Sequence, residues 1–122
     1  MFGTKKKPAL NLLELVPKHA RAYDVADDGT VTVRVPRFKY DWMSRHLLPR
    51  RRNPHIHTRL DAYGSFVWLR IDGVRTVAEI GEELDAHFGE DVRPVYDRLG
   101  LFVRAMRDRT FIVLHHADGT PV

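Results

Sequence analysis

Alternation of apolar and polar residues predicts β-strands in the first half of the chain. In residues 30–35 every second position is valine and the intervening positions are polar or charged, which is typical of a strand with one buried face. Residues 22–25 precede this run, and residues 27–29 (Asp-Asp-Gly) form a turn signal between the two, so we predict a β-hairpin. Residues 55–60 alternate in the same way and predict a third short strand.

The spacing of apolar residues becomes helical after Asp61. Asp61 is a suitable N-cap and Gly73 a suitable stop for a first, largely buried helix. Thr76 and Glu79 form a capping-box pattern, in which each side chain bonds a backbone amide near the start of the helix. This pattern predicts a second helix, and Gly89 is its expected end.

The remaining segments complete the predicted layout. Apolar residues between 95 and 106 share one face and predict a third helix, and residues 110–114 are compatible with a terminal strand. The run 9–16 has helical spacing but is too short to be stable alone, so we interpret it as an arm that docks on the core. The side chains predicted to be mostly buried are Phe66, Trp68, Ile80, Leu84, Phe88, Leu99 and Phe102.

Three short antiparallel strands followed by three helices predict a winged-helix-like α+β fold. At 122 residues the chain has the size of a single domain with one core. We predict an N-terminal arm over residues 1–18 and a folded domain over residues 19–114, with a basic insertion at about 37–53. Residues 115–122 are expected to form a loose tail.

Composition excludes several classes of protein. The chain has no cysteine, which excludes disulfides and thiolate metal sites and fits a reducing cytoplasm. The apolar run at 9–16 contains Asn11 and Glu14 and is followed by Pro17, so it does not have the pattern of a secretory signal. No segment approaches the ~20 consecutive apolar residues that span a bilayer. We therefore expect a cytoplasmic protein without a membrane span.

The charge distribution supports an alternative function, that of a winged-helix protein that binds nucleic acid. The chain has 20 Lys or Arg against 16 Asp or Glu, and residues 1–60 hold 13 of the basic residues but only five of the acidic ones. Arg98, Arg104 and Arg107 on the third helix support this alternative, because phosphates attract arginine. The predicted second helix opposes it with four acidic side chains, Glu79, Glu82, Glu83 and Asp85.

Residues able to carry catalysis or bind a metal are few. His55 and His57 share one face of the third strand, but no third ligand stands at a diagnostic spacing, and the adjacent His115 and His116 would point to opposite sides of a strand. Ser65 lies in an apolar helix without the glycine pattern of a nucleophile elbow, so we interpret it as a small residue at a close contact. We predict no enzyme activity, no metal and no cofactor.

The second half of the chain resembles the PqqD family over about residues 55–112. The likeness lies in Gly64–Leu84, His87–Gly89 and Val95–Val103. Its most specific part is Asp-Gly at 72–73 followed by Arg-Thr-Val-Ala-Glu-Ile at 75–80, where a helix stop joins a capped helix. The N-terminal arm and the insertion at 37–53 depart from the shorter members of the family, so the particular biosynthetic pathway stays open.

The resemblance implies a non-catalytic peptide-binding module, also called a RiPP recognition element. Such a module presents a ribosomally made precursor peptide to a modifying enzyme, for example a radical SAM protein. The implied mechanism is β-strand addition, in which an extended leader segment pairs with the open edge of the third strand and lies against the third helix. Whether the protein is a homodimer stays open.

The candidate peptide-binding residues come from the third strand and the third helix. They are His55, Ile56, His57, Thr58, Arg59, Leu60, Arg98, Leu101, Phe102 and Ala105. Leu101 lies off the main apolar stripe and is the preferred groove residue, whereas the spacing of Phe102 also fits the core. A proline at Thr58, or at His57 if that amide faces outward, is expected to weaken binding because proline lacks the N–H donor.

Overall fold

The computed structural model describes residues 11–36 and 55–122. Its elements, in chain order, are β1 (Val16–His19), β2 (Tyr23–Val25), β3 (Val31–Pro36), β4 (His55–Arg59), α1 (Ala62–Arg70), α2 (Val77–Phe88), α3 (Val95–Asp108) and β5 (Ile112–His115). Short 3-10 turns precede β1 and follow α2, at Leu12–Glu14 and Gly89–Val92. The predicted basic insertion at 37–53 lies outside the described residues.

The strands β2, β3 and β4 form one antiparallel sheet in that order. The predicted hairpin is confirmed, because β2 pairs with β3 and the amide of Ala26 donates to the carbonyl of Thr30 across the turn. Gly29 in this turn has a φ of 88°, a conformation that glycine adopts without strain. The predicted third strand is confirmed as β4, so the three predicted strands, here β2, β3 and β4, precede three helices in an α+β arrangement, with the additional strand β1 ahead of them.

The starts of α1 and α2 and the end of α2 follow the capping signals of the sequence, whereas α1 ends at Arg70, ahead of the predicted stop at Gly73. The carboxylate of Asp61 accepts the amide of Gly64 at 2.7 Å, which confirms Asp61 as the N-cap of α1. The capping box of α2 is also formed, since Thr76 and Glu79 each accept the other's backbone amide. Gly89 ends α2 with a φ of 63°.

A second sheet of two strands was not predicted as such. β1 pairs with β5 in antiparallel register, from Val16 opposite His115 to His19 opposite Ile112. The described part of the run 9–16 docks on the core, as interpreted, but it does so through the 3-10 turn and the start of β1, with no α-helix. Backbone pairing with β5, which is distant in sequence, overrides a weak helical pattern in so short a segment. Beyond β5 the amide of His116 donates to the carbonyl of Thr120, forming a turn in the tail.

The core lies between the two sheets and the helices. Trp68, Ile80, Leu84 and Leu99 have no exposed surface, as predicted. Phe66, Phe88 and Phe102 are partly buried and pack against this core, so most but not all of each side chain is covered. Their rings lie at the margin of the core, where they contact one another or Tyr63 and keep one side open to solvent.

Candidate functional site

The outer edge of β4 is defined by the direction of its backbone groups. The amide of Leu60 donates to the carbonyl of Val31 at 2.8 Å, immediately after the strand. Opposed residues of an antiparallel pair alternate between bonded and non-bonded positions, so Thr58 bonds to β3 opposite Val33. The N–H and C=O groups of His57 and Arg59 then point away from β3. Among the described residues β4 pairs with β3 alone.

Ser65 holds this end of the ladder in place. The amide of Val31 donates to the hydroxyl of Ser65 at 2.9 Å, and that hydroxyl donates to the carbonyl of Leu60 at 3.4 Å. The Ser65 side chain thus lies between the amide of Val31 and the carbonyl of Leu60, which in a regular antiparallel pair would bond directly. Ser65 is buried, and the interpretation of this residue as structural agrees with its contacts.

The side chains of β4 divide between two faces. Ile56 and Thr58 lie on the inner face, opposite Val35 and Val33 of β3. Ile56 is nevertheless 47% exposed, so it presents an apolar surface beside the outer edge of β4. His57 and Arg59 lie on the outer face and are exposed. Leu60 follows the strand and is buried.

Gly64 brings α3 close to the end of β4. A Cβ atom at Gly64 would lie 3.4 Å from the Phe102 ring and 3.3 Å from the Cβ atom of Leu60. The missing side chain therefore leaves room for Phe102 beside Leu60. Tyr63 also packs edge-on against Phe102, with ring centroids 5.6 Å apart. Two of the predicted site residues, Leu60 and Phe102, therefore both lie beside Gly64.

The same side of α3 carries two further predicted residues. Arg98 and Ala105 lie one turn before and one turn after Phe102, and both are exposed. The guanidinium of Arg98 is 5.6 Å from the centre of the Tyr63 ring and donates to the carbonyl of Asp91 at 2.7 Å. These contacts place the Arg98 cation beside the aromatic ring of Tyr63.

The structure places Leu101 differently from the other predicted residues of α3. Leu101 is 68% exposed and borders a separate depression with Leu12 and Leu13 of the N-terminal turn. Gly100 and Arg104 line the same depression. The geometry therefore associates Leu101 with the segment before β1, whereas Phe102 lies beside Tyr63 and Gly64 of α1.

Tyr63 is a residue of this site that sequence reasoning missed. Burial raises the pKa of its phenol, and the nearby Arg98 cation opposes that rise. Its hydroxyl oxygen is buried and has no hydrogen-bond partner among the described residues. The available signal was the glycine at position 64 in the first turn of a capped helix, which indicates a close packing contact.

A second aromatic group lies between α1 and α2, and it too was missed. Phe66 packs against Phe88 and His87, with centroid distances of 5.3 and 4.7 Å. The Arg70 guanidinium lies 3.6 Å from the centre of the Phe66 ring and pairs with Glu83. These side chains border an open cleft of about 850 Å³ that reaches the turn between β2 and β3.

The described parts of the chain hold neither a cluster of three metal-ligating side chains nor a helix that could span a membrane. Within residues 11–36 and 55–122, no three His, Asp or Glu side chains are grouped so that they could hold a metal ion. In the same ranges, every helix is too short or too polar to cross a bilayer.

Comparisons with known proteins identify the region that builds this site. Residues 53–112 match the family described as Coenzyme PQQ synthesis protein D (PqqD). The match covers β4 and all three helices, so it includes both the strand edge and the face of α3 described above. No curated protein and no solved structure matches the chain. Through residues 53–112, the chain belongs to the PqqD family.

Proposed function

We propose that this protein is a non-catalytic peptide-binding module that presents a ribosomally made precursor peptide to a modifying enzyme. Membership of the PqqD family assigns it a general accessory role in peptide modification. The finer proposal is that the precursor binds by β-strand addition to the outer edge of β4. The modifying enzyme is proposed to be a radical SAM protein, with both partners meeting in the cytoplasm.

One observation carries this proposal, namely the direction of the β4 amides. Arg59 turns its backbone groups away from β3, as the register of the strand pair requires. A peptide strand placed along this edge would continue the hydrogen-bond ladder of the sheet. Beside the edge, Ile56 and Phe102 present apolar surface, which supplies contacts for side chains of the bound strand.

The described surface favours a peptide over a nucleic acid. Glu79 and Glu82 are exposed on α2, and Asp85 and Glu83 on the same helix bind arginines of the protein itself. Exposed carboxylates on this helix would repel a phosphate backbone. A nucleic-acid function therefore gains no specific support from α2.

A displayed peptide library tests the proposal. The full chain is used to select from random 12-residue peptides, in parallel with the variants Arg59→Pro and Arg59→Ala. Both variants remove the guanidinium, but only proline removes the outward amide donor. We expect peptides selected by the parent to bind Arg59→Ala at least fivefold more tightly than Arg59→Pro. Equal binding to the two variants would contradict strand addition at this edge.

A second measurement leaves the protein unchanged, in case Arg59→Pro does not fold. Selected peptides are resynthesised with N-methyl groups on alternate backbone amides, in both possible frames. In an added strand only one set of alternate amides faces β4, so methylation in one frame should abolish binding and in the other should not. If both frames are equally sensitive, or if no peptide is enriched, the proposed function is wrong.

A further inference from the structure

Two rows of side chains cross the outer face of the three-stranded sheet and end at the outer edge of β4. The register places Asp24, Thr32 and Arg59 in one row across β2, β3 and β4. A neighbouring row contains Arg34 and His57. Asp24 pairs with Arg34 at 2.9 Å, so the acidic side chain of these rows is neutralised two strands away from the edge. The edge itself carries His57 and Arg59.

The inner face of the same edge has the opposite character. Thr58 and Ile56 continue the rows of Val33 and Val35. Ile56 is 47% exposed and its cross-strand partner Val35 is only partly buried, so the apolar inner face is partly uncovered at this end of the edge. An added strand would place every second side chain on this face, towards the Phe102 side of α3.

We infer that the peptide segment recognised at this edge alternates apolar residues with acidic residues. The inference rests on the proposed function, and it specifies the class of peptide. Side chains of an added strand point alternately to the two faces of the sheet, and cross-strand neighbours lie close enough to interact. Apolar side chains then contact Ile56 on the inner face, and carboxylates lie beside Arg59 on the outer face. Opposite charges across a strand pair are favourable, whereas like charges are not.

Three synthetic eight-residue peptides, acetylated and amidated at their ends, test this inference. The first alternates aspartate and leucine, the second has the same composition in two blocks, and the third alternates lysine and leucine. Binding to the full chain is measured by fluorescence anisotropy at low salt. We expect the first peptide to bind at least tenfold more tightly than either of the others. Equal affinity of the alternating and block peptides would overturn the inference.

A charge exchange locates the recognition at Arg59. In Arg59→Glu the preference between the aspartate and lysine peptides should reverse, because the outer face now carries a carboxylate at the edge. Arg104→Glu is the matched control, since it makes the same change in net charge at the depression of Leu101. If both variants alter the preference equally, only the overall charge is being sensed and the inference is wrong.

The two proposals fail in different ways. If library selection yields peptides that need the Arg59 amide but lack alternation, the inferred peptide class is wrong and the binding edge stands. If selection yields no peptide that distinguishes Arg59→Pro from Arg59→Ala, the proposed function itself is wrong. Circular dichroism checks that each variant is folded. If Arg59→Glu does not fold, the binding of the three peptides to the parent protein still tests the inference.

Discussion

The Ser65 hydroxyl accepts the amide of Val31 at 2.9 Å and thereby ties helix α1 to the first residue of β3. Val31 has no exposed surface, so no water replaces this bond when the hydroxyl is removed. The same hydroxyl reaches the carbonyl of Leu60, where β4 ends. The small Ser65 side chain therefore connects helix α1 both to the start of β3 and to the residue that follows β4.

Ser65→Ala should destabilise the protein by about 1–3 kcal/mol, the usual cost of leaving a buried donor unpaired. Urea denaturation of the variant and the parent measures this difference in the free energy of unfolding. Ala62→Ser, at an exposed position on the same helix, is a control for changing one hydroxyl. An unchanged unfolding free energy in Ser65→Ala would show that the bond to Val31 is dispensable.

Leu84→Ala should cost more stability than Phe88→Ala, although phenylalanine is the larger side chain. Leu84 is completely buried, and emptying such a site typically costs about 2–5 kcal/mol. Phe88 is partly exposed, so its truncation removes less buried surface and leaves a space that opens to solvent. Thermal or urea unfolding gives the order of the two variants. The reverse order would mean that the aromatic side chains around Phe88 are shielded from solvent.

Thr58→Pro should disrupt the sheet, at a cost on the order of 3 kcal/mol, because its amide faces β3 in the derived register. Thr58→Ala, which keeps the amide, should cost about 1 kcal/mol or less. Circular dichroism and urea unfolding compare the two. A Thr58→Pro variant as stable as Thr58→Ala would reverse the assignment of which amides face outward, and with it the proposed edge.

His19 should make stability depend on pH between about pH 7 and 5. Burial lowers the pKa of His19, and its bond to the carbonyl of Trp68, at 2.9 Å, opposes this shift. The ring also stacks on Trp68, with centroids 4.1 Å apart. Because the folded pKa is below the unfolded value of about 6.5, the unfolded chain binds more protons as the pH falls. Stability should therefore decrease on acidification through this range.

The variant His19→Gln checks this assignment. Glutamine keeps a donor for the Trp68 carbonyl but does not titrate, so its unfolding free energy should change less between pH 7 and 5 than that of the parent. The carboxyls of Asp72 and Asp85 have lowered pKa values, so they act at and below about pH 4 and do not obscure the comparison. Parallel pH profiles for parent and variant would assign the effect to other groups.

Local rules of the sequence determined the β2–β3 hairpin, β4 and the three helices. A valine at every second position fixes which face of β3 is buried, and the capping pair Thr76 and Glu79 fixes where α2 begins, because both depend on neighbours within a few residues. The family resemblance also came from such local motifs, since the turn at Asp72 and Gly73 leads directly into the capped helix.

Only the tertiary structure decided what these elements leave exposed. The sequence left open whether Thr58 or His57 turns its amide outward, and the bond from Leu60 to Val31 resolves this in favour of His57. The pairing of β1 with β5 and the partial exposure of Phe102 were likewise undetermined. Each depends on contacts between residues far apart in the chain, and hydrophobic periodicity records that a residue is apolar without recording which partner covers it.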